Sequence, residues 1–224
     1  MSLHLVKDTS AAIGVLDLQG GVYEHLDHLE RLGITGCRVK QEGDFNNLAG
    51  LIIPGGESTC LKRLLDTFGL TQVIRRHYQR GMKIWGTCAG AILLAKKVVN
   101  DEPCLGLMDI EIERNSFGSQ LDSFTAEALM PEVAAEPIPL TFIRAPKILR
   151  AGKNVEILLE MDDYIAAAEN ENILVTVFHP ELTGCLALHR YFAQKCGIKA
   201  TGSVSGSVDS RWQSHSWTRR ARIV

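Results

Sequence analysis

Apolar positions along this chain fall into two alternating rhythms. Over residues 12–18, Ile13, Val15, Leu16 and Leu18 predict a strand closed by Gln19-Gly20-Gly21. Over 22–32 the spacing turns helical, with Leu26, Leu29 and Leu32 as the expected buried stripe. His25 and His28 stand beside Glu24 and Asp27 on that helix, where a solvated face is expected rather than a metal site. The alternation continues with a strand over 37–40 after Gly33 and Gly36, and a third over 48–54. A stripe of Leu61, Leu64, Leu65 and Phe68 and a helix over 70–80 stopped by Gly81 come next. Residues 83–95 run from an apolar strand through a corner of small residues into an apolar helix.

Beyond Cys104 the pattern changes. Residues 105–114 alternate apolar with polar, as a half-exposed strand does, and Asn115-Ser116-Phe117-Gly118 turns it. Further strands are expected over 137–143 and 155–161, with Asp162-Asp163 as the turn into 164–168. The near-continuous apolar run 173–178 belongs inside a sheet, and Leu186, Leu188, Tyr191 and Phe192 mark a closing helix on which His189 is packed or solvated. Strands alternating with helices make βαβ units, so the expected fold is an α/β three-layer sandwich, a mainly parallel central sheet flanked by helices. In such sheets the site lies at the carboxyl ends of the strands, where Gln19, Gly55-Gly56 and Cys88 all fall and are expected to converge.

Chemistry concentrates at the corner Gly86-Thr87-Cys88-Ala89-Gly90. Glycines two residues either side of a cysteine, between a strand and a helix, have the spacing of a nucleophile elbow. There the helix N-terminus favours a thiolate and the next N–H can meet a developing oxyanion. A buried core cysteine satisfies the same short pattern. The matching base is His179 at the end of an apolar strand, with Glu181 two residues on, so Cys88, His179 and Glu181 can form a triad. The loop Pro54-Gly55-Gly56-Glu57-Ser58-Thr59 presents backbone N–H groups to an anion or carbonyl, or is simply a helix cap. Arg114 and Arg144 each end a strand, where a guanidinium can clamp a carboxylate or join a surface ion pair.

Composition narrows the class. At 224 residues and 46% hydrophobic, the chain can bury one good core, and a net charge of −2 provides no field for nucleic acid or an anionic membrane. No secretory h-region or membrane-length apolar run is seen. Six scattered cysteines without paired ligand spacing point to reduced thiols in a cytoplasmic setting and to no metal site. Residues 1–11 read as a lead and 12–197 as one domain. Residues 198–224 read as a disordered tail, with five basic residues and one acid interleaved with Trp212 and Trp217. The tail is either without function or a contact for nucleic acid or a protein partner.

Taken together, six ordered motifs resemble the glutaminase subunit of pyridoxal 5′-phosphate synthase, a branch of the class I glutamine amidotransferases. They are Gly14-Val15-Leu16 with Leu18-Gln19-Gly20, Leu51 through Thr59, Gly86 through Gly90, Glu113 through Gly118, Phe142-Ile143-Arg144-Ala145-Pro146, and Phe178 through Thr183. The resemblance implies Cys88, His179 and Glu181 as the triad, and glutamine contacts at Gly56, Glu57, Ser58, Arg114, Ile143 and Arg144. It implies no cofactor, and a (β/α)8-barrel synthase subunit as partner in a hetero-oligomeric complex. On this reading the N–H groups of Gly56 and Ala89 receive the oxyanion, and Gln19 and Gly20 sense the partner. Gly21 stands where a small side chain is more frequent in the family, and Ser119 where an arginine is. The tail has no counterpart in the pattern. A cysteine peptidase or γ-glutamyl hydrolase would use the same triad, and a docking subunit would need none of it.

Overall fold

A computed structural model describes residues 11–114 and 123–201. In chain order it contains β1 (Ala12–Leu16), α1 (Val22–Arg31), β2 (Gly36–Val39), β3 (Leu48–Ile53), α2 (Ser58–Thr67), α3 (Leu70–Gln79), β4 (Lys83–Thr87) and α4 (Ala89–Leu94). There follow β5 (Ala95–Val98), β6 (Met108–Glu113), β7 (Phe124–Ala128), β8 (Ile138–Phe142), β9 (Lys147–Ala151), β10 (Glu156–Met161), β11 (Tyr164–Glu169), β12 (Ile173–Thr176) and α5 (Ala187–Lys195). Short 3-10 turns occupy Glu42–Phe45 and Pro180–Leu182.

The main sheet runs β2-β1-β3-β4-β12-β11-β9-β6-β5, with β10 paired to β11. From β2 through β12 every neighbouring pair is parallel. Beyond β12 the partners β11, β9 and β6 are antiparallel, and the edge strand β5 returns to parallel pairing. Connection length explains the switch: a strand followed after three residues by its neighbour, as β11 is by β12, can only fold back as a hairpin. β7 and β8 form a separate antiparallel hairpin.

Helices cover both faces of the parallel half, so β4 and β12 are buried along nearly their whole length. On one face α1 and α5 meet over Trp85, whose ring lies 5.6 Å from that of Phe192. On the other, α4 lies against β3, β4 and β12, and α2 packs on α4 and α3. The core is one continuous cluster.

Three strands escape the hydrophobic pattern. β5 follows α4 with no turn residue between them, which is why the apolar run reads as helix through Ala95. β9 buries only Ile148 fully, and β7 has no fully buried residue. The expectation for His25 and His28 is overturned: they are 0% and 1% exposed. The buried stripe of α1 is Val22-His25-Leu29, continued by Leu32, at spacings of three and four, while Leu26 is half-buried. His189, 0% exposed, is packed. The turn at 115–118 and Ser119 lie outside the described residues. Near the C-terminal limit, Ile198 N–H bonds Ala193 O at 2.8 Å and Thr201 N–H bonds Leu32 O at 3.1 Å, so residues 198–201 stay attached to the domain. The remainder of the expected tail, and residues 1–10, lie outside the described residues. Among the described residues no helix is long and apolar enough to cross a membrane.

Candidate active site

Cys88 sits between β4 and α4 with φ 47° and ψ −103°, a left-handed conformation that costs a non-glycine residue about 1–3 kcal/mol unless its surroundings impose it. Here they do. Its N–H bonds Thr176 O on β12 at 2.8 Å, and its carbonyl accepts from Ala91 N–H at 3.1 Å. The flanking glycines follow from close approach: a Cβ on Gly86 would lie 2.6 Å from the Gly90 carbonyl carbon, and one on Gly90 would lie 2.0 Å from Ile53 O. Any side chain at either position would push α4 off the sheet and relax the corner. The thiol is 6% exposed, and the N–H of Ala89 opens the helix where no intrahelical acceptor exists.

β12 delivers His179 beside this corner. Its N–H bonds Thr141 O of β8 at 2.8 Å, and the Pro180–Leu182 turn curls Glu181 back so that Oε1 lies 2.8 Å from His179 Nδ1. With Nδ1 engaged, Nε2 is left for the hydrogen bond that the imidazole also makes to Cys88. Both His179 and Glu181 are sealed, at 1% and 0% exposure. Burial alone would pull the imidazole down, but the flanking Cys88 sulfur and Glu181 carboxylate prevail and hold its pKa well above the ordinary value. Glu181 shows the converse: burial pushes its carboxyl up, yet His179 and His25 bring it below the usual range. The cluster therefore favours an imidazolium paired with the Glu181 carboxylate and set against the Cys88 sulfur.

The glycine loop after β3 closes over this cluster. A Cβ on Gly55 would lie 2.3 Å from His179 Cε1 and 3.3 Å from Cys88 Cβ, so the backbone occupies the only width available. Gly55 N–H donates to Thr87 Oγ1 at 2.9 Å. The first loop joins it: Glu57 N–H donates to Gln19 Oε1 at 3.0 Å, Gly20 backs onto the Gly55 carbonyl, and Gly21 N–H reaches that carbonyl at 3.4 Å. The three expected loops thus meet.

Glu57 caps α2, its carboxylate accepting from Thr59 N–H at 2.9 Å and Cys60 N–H at 2.7 Å. The helix-cap alternative for this loop is therefore realised alongside its place in the site. Ser58 is buried. Arg114 donates to Asp101 Oδ2 at 2.6 Å and Thr59 Oγ1 at 2.9 Å, and lies 3.6 Å from Glu57 Oε1. A cleft of about 260 Å³ opens here, walled by Ser58, Thr59, Lys62, Asp101 and Arg114, with neither Cys88 nor His179 among its lining residues. Ile143 is half-buried and Arg144 exposed, the latter with φ 43°, just past the β8 strand that anchors His179.

Thr87, His25 and His189 stand next to the cluster and escape the sequence reading. The signal for His25 was present, since its three- and four-residue spacing to Val22 and Leu29 places it on the core side of α1. Thr87 offered only a hydroxyl at the end of an otherwise apolar strand. Among the described residues no cluster of three or more His, Cys, Asp or Glu is arranged to hold a metal ion.

A thiol, imidazole and carboxylate gathered at the carboxyl edge of a parallel half-sheet place this chain in a class: α/β proteins with the glutamine amidotransferase fold. A solved structure described as a glutamine amidotransferase superposes with TM-score 0.79 and 38% identity, covering 84% of this chain and 100% of its own. Within that class the chain belongs to the SNO glutamine amidotransferase family, whose model matches residues 15–198. A protein of Syntrophus aciditrophicus named pyridoxal 5′-phosphate synthase subunit PdxT is 61% identical over 213 residues, 95% of either chain. One of the same name from Ruminiclostridium cellulolyticum is 48% identical over 184 residues, 81% of this chain and 97% of its own. The Syntrophus alignment takes in 213 of 224 residues and so runs past residue 201. Part of the tail therefore has a counterpart in that relative, whereas the family model itself ends at residue 198.

Proposed function

We propose that this chain is the glutaminase subunit of a pyridoxal 5′-phosphate synthase, hydrolysing L-glutamine to glutamate and ammonia and passing the ammonia to a (β/α)8-barrel synthase subunit in a hetero-oligomeric complex. The relatives named above support the assignment to that synthase. The observation that carries the chemistry is the strained Cys88 hydrogen-bonded to an imidazole whose other nitrogen meets Glu181 at 2.8 Å. All six cysteines are free thiols, in keeping with a cytoplasmic setting.

In this reading the Cys88 thiolate attacks the side-chain carboxamide carbon of glutamine, and the carbonyl oxygen becomes an oxyanion received by the N–H groups of Ala89 and Gly56. His179 gives its proton to the departing nitrogen, ammonia leaves, and a γ-glutamyl thioester remains on sulfur. The now neutral imidazole takes a proton from water, which attacks the thioester, expels the thiolate and releases glutamate. Glu181 holds the ring in the required orientation throughout. Arg114 and Arg144, with Glu57, Ser58 and Ile143, bind the amino-acid end of the substrate. One oxyanion donor is worth about 3 kcal/mol, so a Gly55-Gly56 amide turned away would idle the enzyme until the partner, sensed through Gln19 and Gly20, turns it back.

The test is labelling of the full chain, with its synthase partner, by an electrophilic glutamine analogue. Cys88 should be the modified residue, and Cys88→Ala should abolish both labelling and ammonia release while retaining co-purification. Turnover of the Ala variant within about tenfold of wild type would end the assignment. Full ammonia release without the partner would reject the gating.

A further inference from the structure

Behind Glu181 lies a second buried polar chain that the mechanism above does not use. Glu181 Oε1 is occupied by His179, but Oε2 makes no hydrogen bond of ordinary geometry and faces His25 Nε2 at 3.6 Å. The other nitrogen of His25 lies 2.8 Å from His189 Nε2. His25 Nε2 is also 3.5 Å from Thr87 Oγ1, and the His25 ring packs against Trp85, while His28 lies over His189 at 4.4 Å. Every imidazole here is at most 1% exposed, so water does not offset a wrong proton position.

Only two proton arrangements satisfy the short His25–His189 contact between neutral rings. In one, His25 carries its proton on Nδ1 and donates to His189 Nε2. That leaves a buried His189 Nδ1–H with nothing to bond, and points the bare lone pair of His25 Nε2 at the Glu181 carboxylate. In the other, His189 Nε2–H donates to His25 Nδ1, and His25 Nε2–H points at Glu181 Oε2. The atom then left over, His189 Nδ1, is an acceptor, and an unmet acceptor is a commoner and cheaper defect than an unmet donor.

We infer that His25 is a positioning residue for the glutaminase reaction: its Nε2–H supports the outer oxygen of Glu181, and His189 fixes the His25 tautomer that makes this possible. The chain of contacts runs from Cys88 through His179, Glu181 and His25 to His189. At 3.6 Å the contact is longer than an ordinary hydrogen bond, and polar contacts among catalytic groups commonly tighten in the substrate complex. This inference rests on the amide-hydrolysis reading for its kinetic consequence, but not for its proton assignment.

Two measurements test it. Long-range ¹⁵N–¹H correlation spectra of the full chain labelled at histidine nitrogen, near neutral pH, should show His25 and His189 each protonated on Nε2 and bare on Nδ1. A proton on His25 Nδ1 would overturn the inference. In the complex with the synthase subunit, His25→Leu should lower kcat for glutamine about tenfold or more with KM little changed, because a donor to a buried charge is lost. His25→Gln, whose amide nitrogen can take the place of Nε2, should recover to within about threefold of wild type. Equal loss in both variants, or loss in neither, overturns the inference. If the Leu variant does not fold, the wild-type spectrum and the Gln variant decide. If the wild-type complex releases no ammonia from glutamine, the amide-hydrolysis reading fails, while the spectra still judge the tautomers.

Discussion

Acid should unfold this protein from within its histidine cluster. Burial brings the pKa of His25 down to about 4, and burial likewise lowers His28 and His189. A histidine whose folded pKa lies below its unfolded value leaves the unfolded chain binding more protons between the two, so stability falls as pH falls through that window. For His25 the window runs from the ordinary 6.5 to about 4, worth roughly 3 kcal/mol once traversed. Domains of this kind have only about 5–15 kcal/mol in hand, and His28 and His189 act in the same direction. Glu181, with its lowered carboxyl, adds a loss that begins only below the unfolded carboxylate value. His179 runs the other way: its raised pKa contributes stability that is intact below the unfolded value and is lost as pH rises through the folded one. The acid loss is therefore not its doing. Urea unfolding followed by circular dichroism from about pH 7.5 to about pH 4.5 should show the unfolding free energy falling by roughly 3 kcal/mol or more, through a lower midpoint at constant m, with a shallower pH dependence in His25→Gln. Equal stability at the two ends, or an unaltered slope in the variant, would refute the reasoning.

Other outcomes follow from the same geometry. Gly55→Ala forces a methyl 2.3 Å from His179 Cε1, so ammonia release should fall about 100-fold or more in the complex; activity within about threefold would show that the loop yields freely. Glu181→Gln removes the negative charge beside His179 and should cost about 10²–10⁴ in kcat, with the alkaline limb of the pH–rate profile moving to lower pH. Thr87→Val leaves the Gly55 N–H without its acceptor, so calorimetry should record about 1–3 kcal/mol of lost stability; an unchanged melting temperature would show that the loop is held by other contacts.

The parallel half of the fold was legible because β1, β3 and β4 are largely apolar runs that enter glycine-containing loops, as Ile53 does at Gly55-Gly56, and β12 opens a near-continuous apolar run to Phe178. The antiparallel extension was only partly legible, since β7 and β9 are held by pairing with neighbours rather than by an apolar stripe of their own. Cys88, His179 and Glu181 could be named together because each lies at or just beyond a strand end, where one sheet edge gathers distant parts of the chain. At His25 the two signals conflict, polarity arguing for solvent and the spacing to Val22 and Leu29 for the core, and the spacing prevails. An imidazole facing other imidazoles and a carboxylate can occupy a core position that its charge class argues against.

That core position also explains how one helix reaches both halves of the site. The corner leading into α1 holds the glycine loop through Gln19 Oε1 and the Gly21 N–H. One turn further along, the same helix presents His25 to the back of Glu181, and His28 bonds Thr183 O at 3.0 Å just beyond the Pro180–Leu182 turn. A rigid helix cannot shift its first turn without shifting its second. A displacement of the Gln19–Gly21 corner is thus imposed at once on the loop that would supply Gly56 N–H and on the carboxylate that orients His179. The proposed sensing of a partner at Gln19 and Gly20 requires a mechanical link of this kind, and α1 provides one through hydrogen bonds at one end and packed imidazoles at the other.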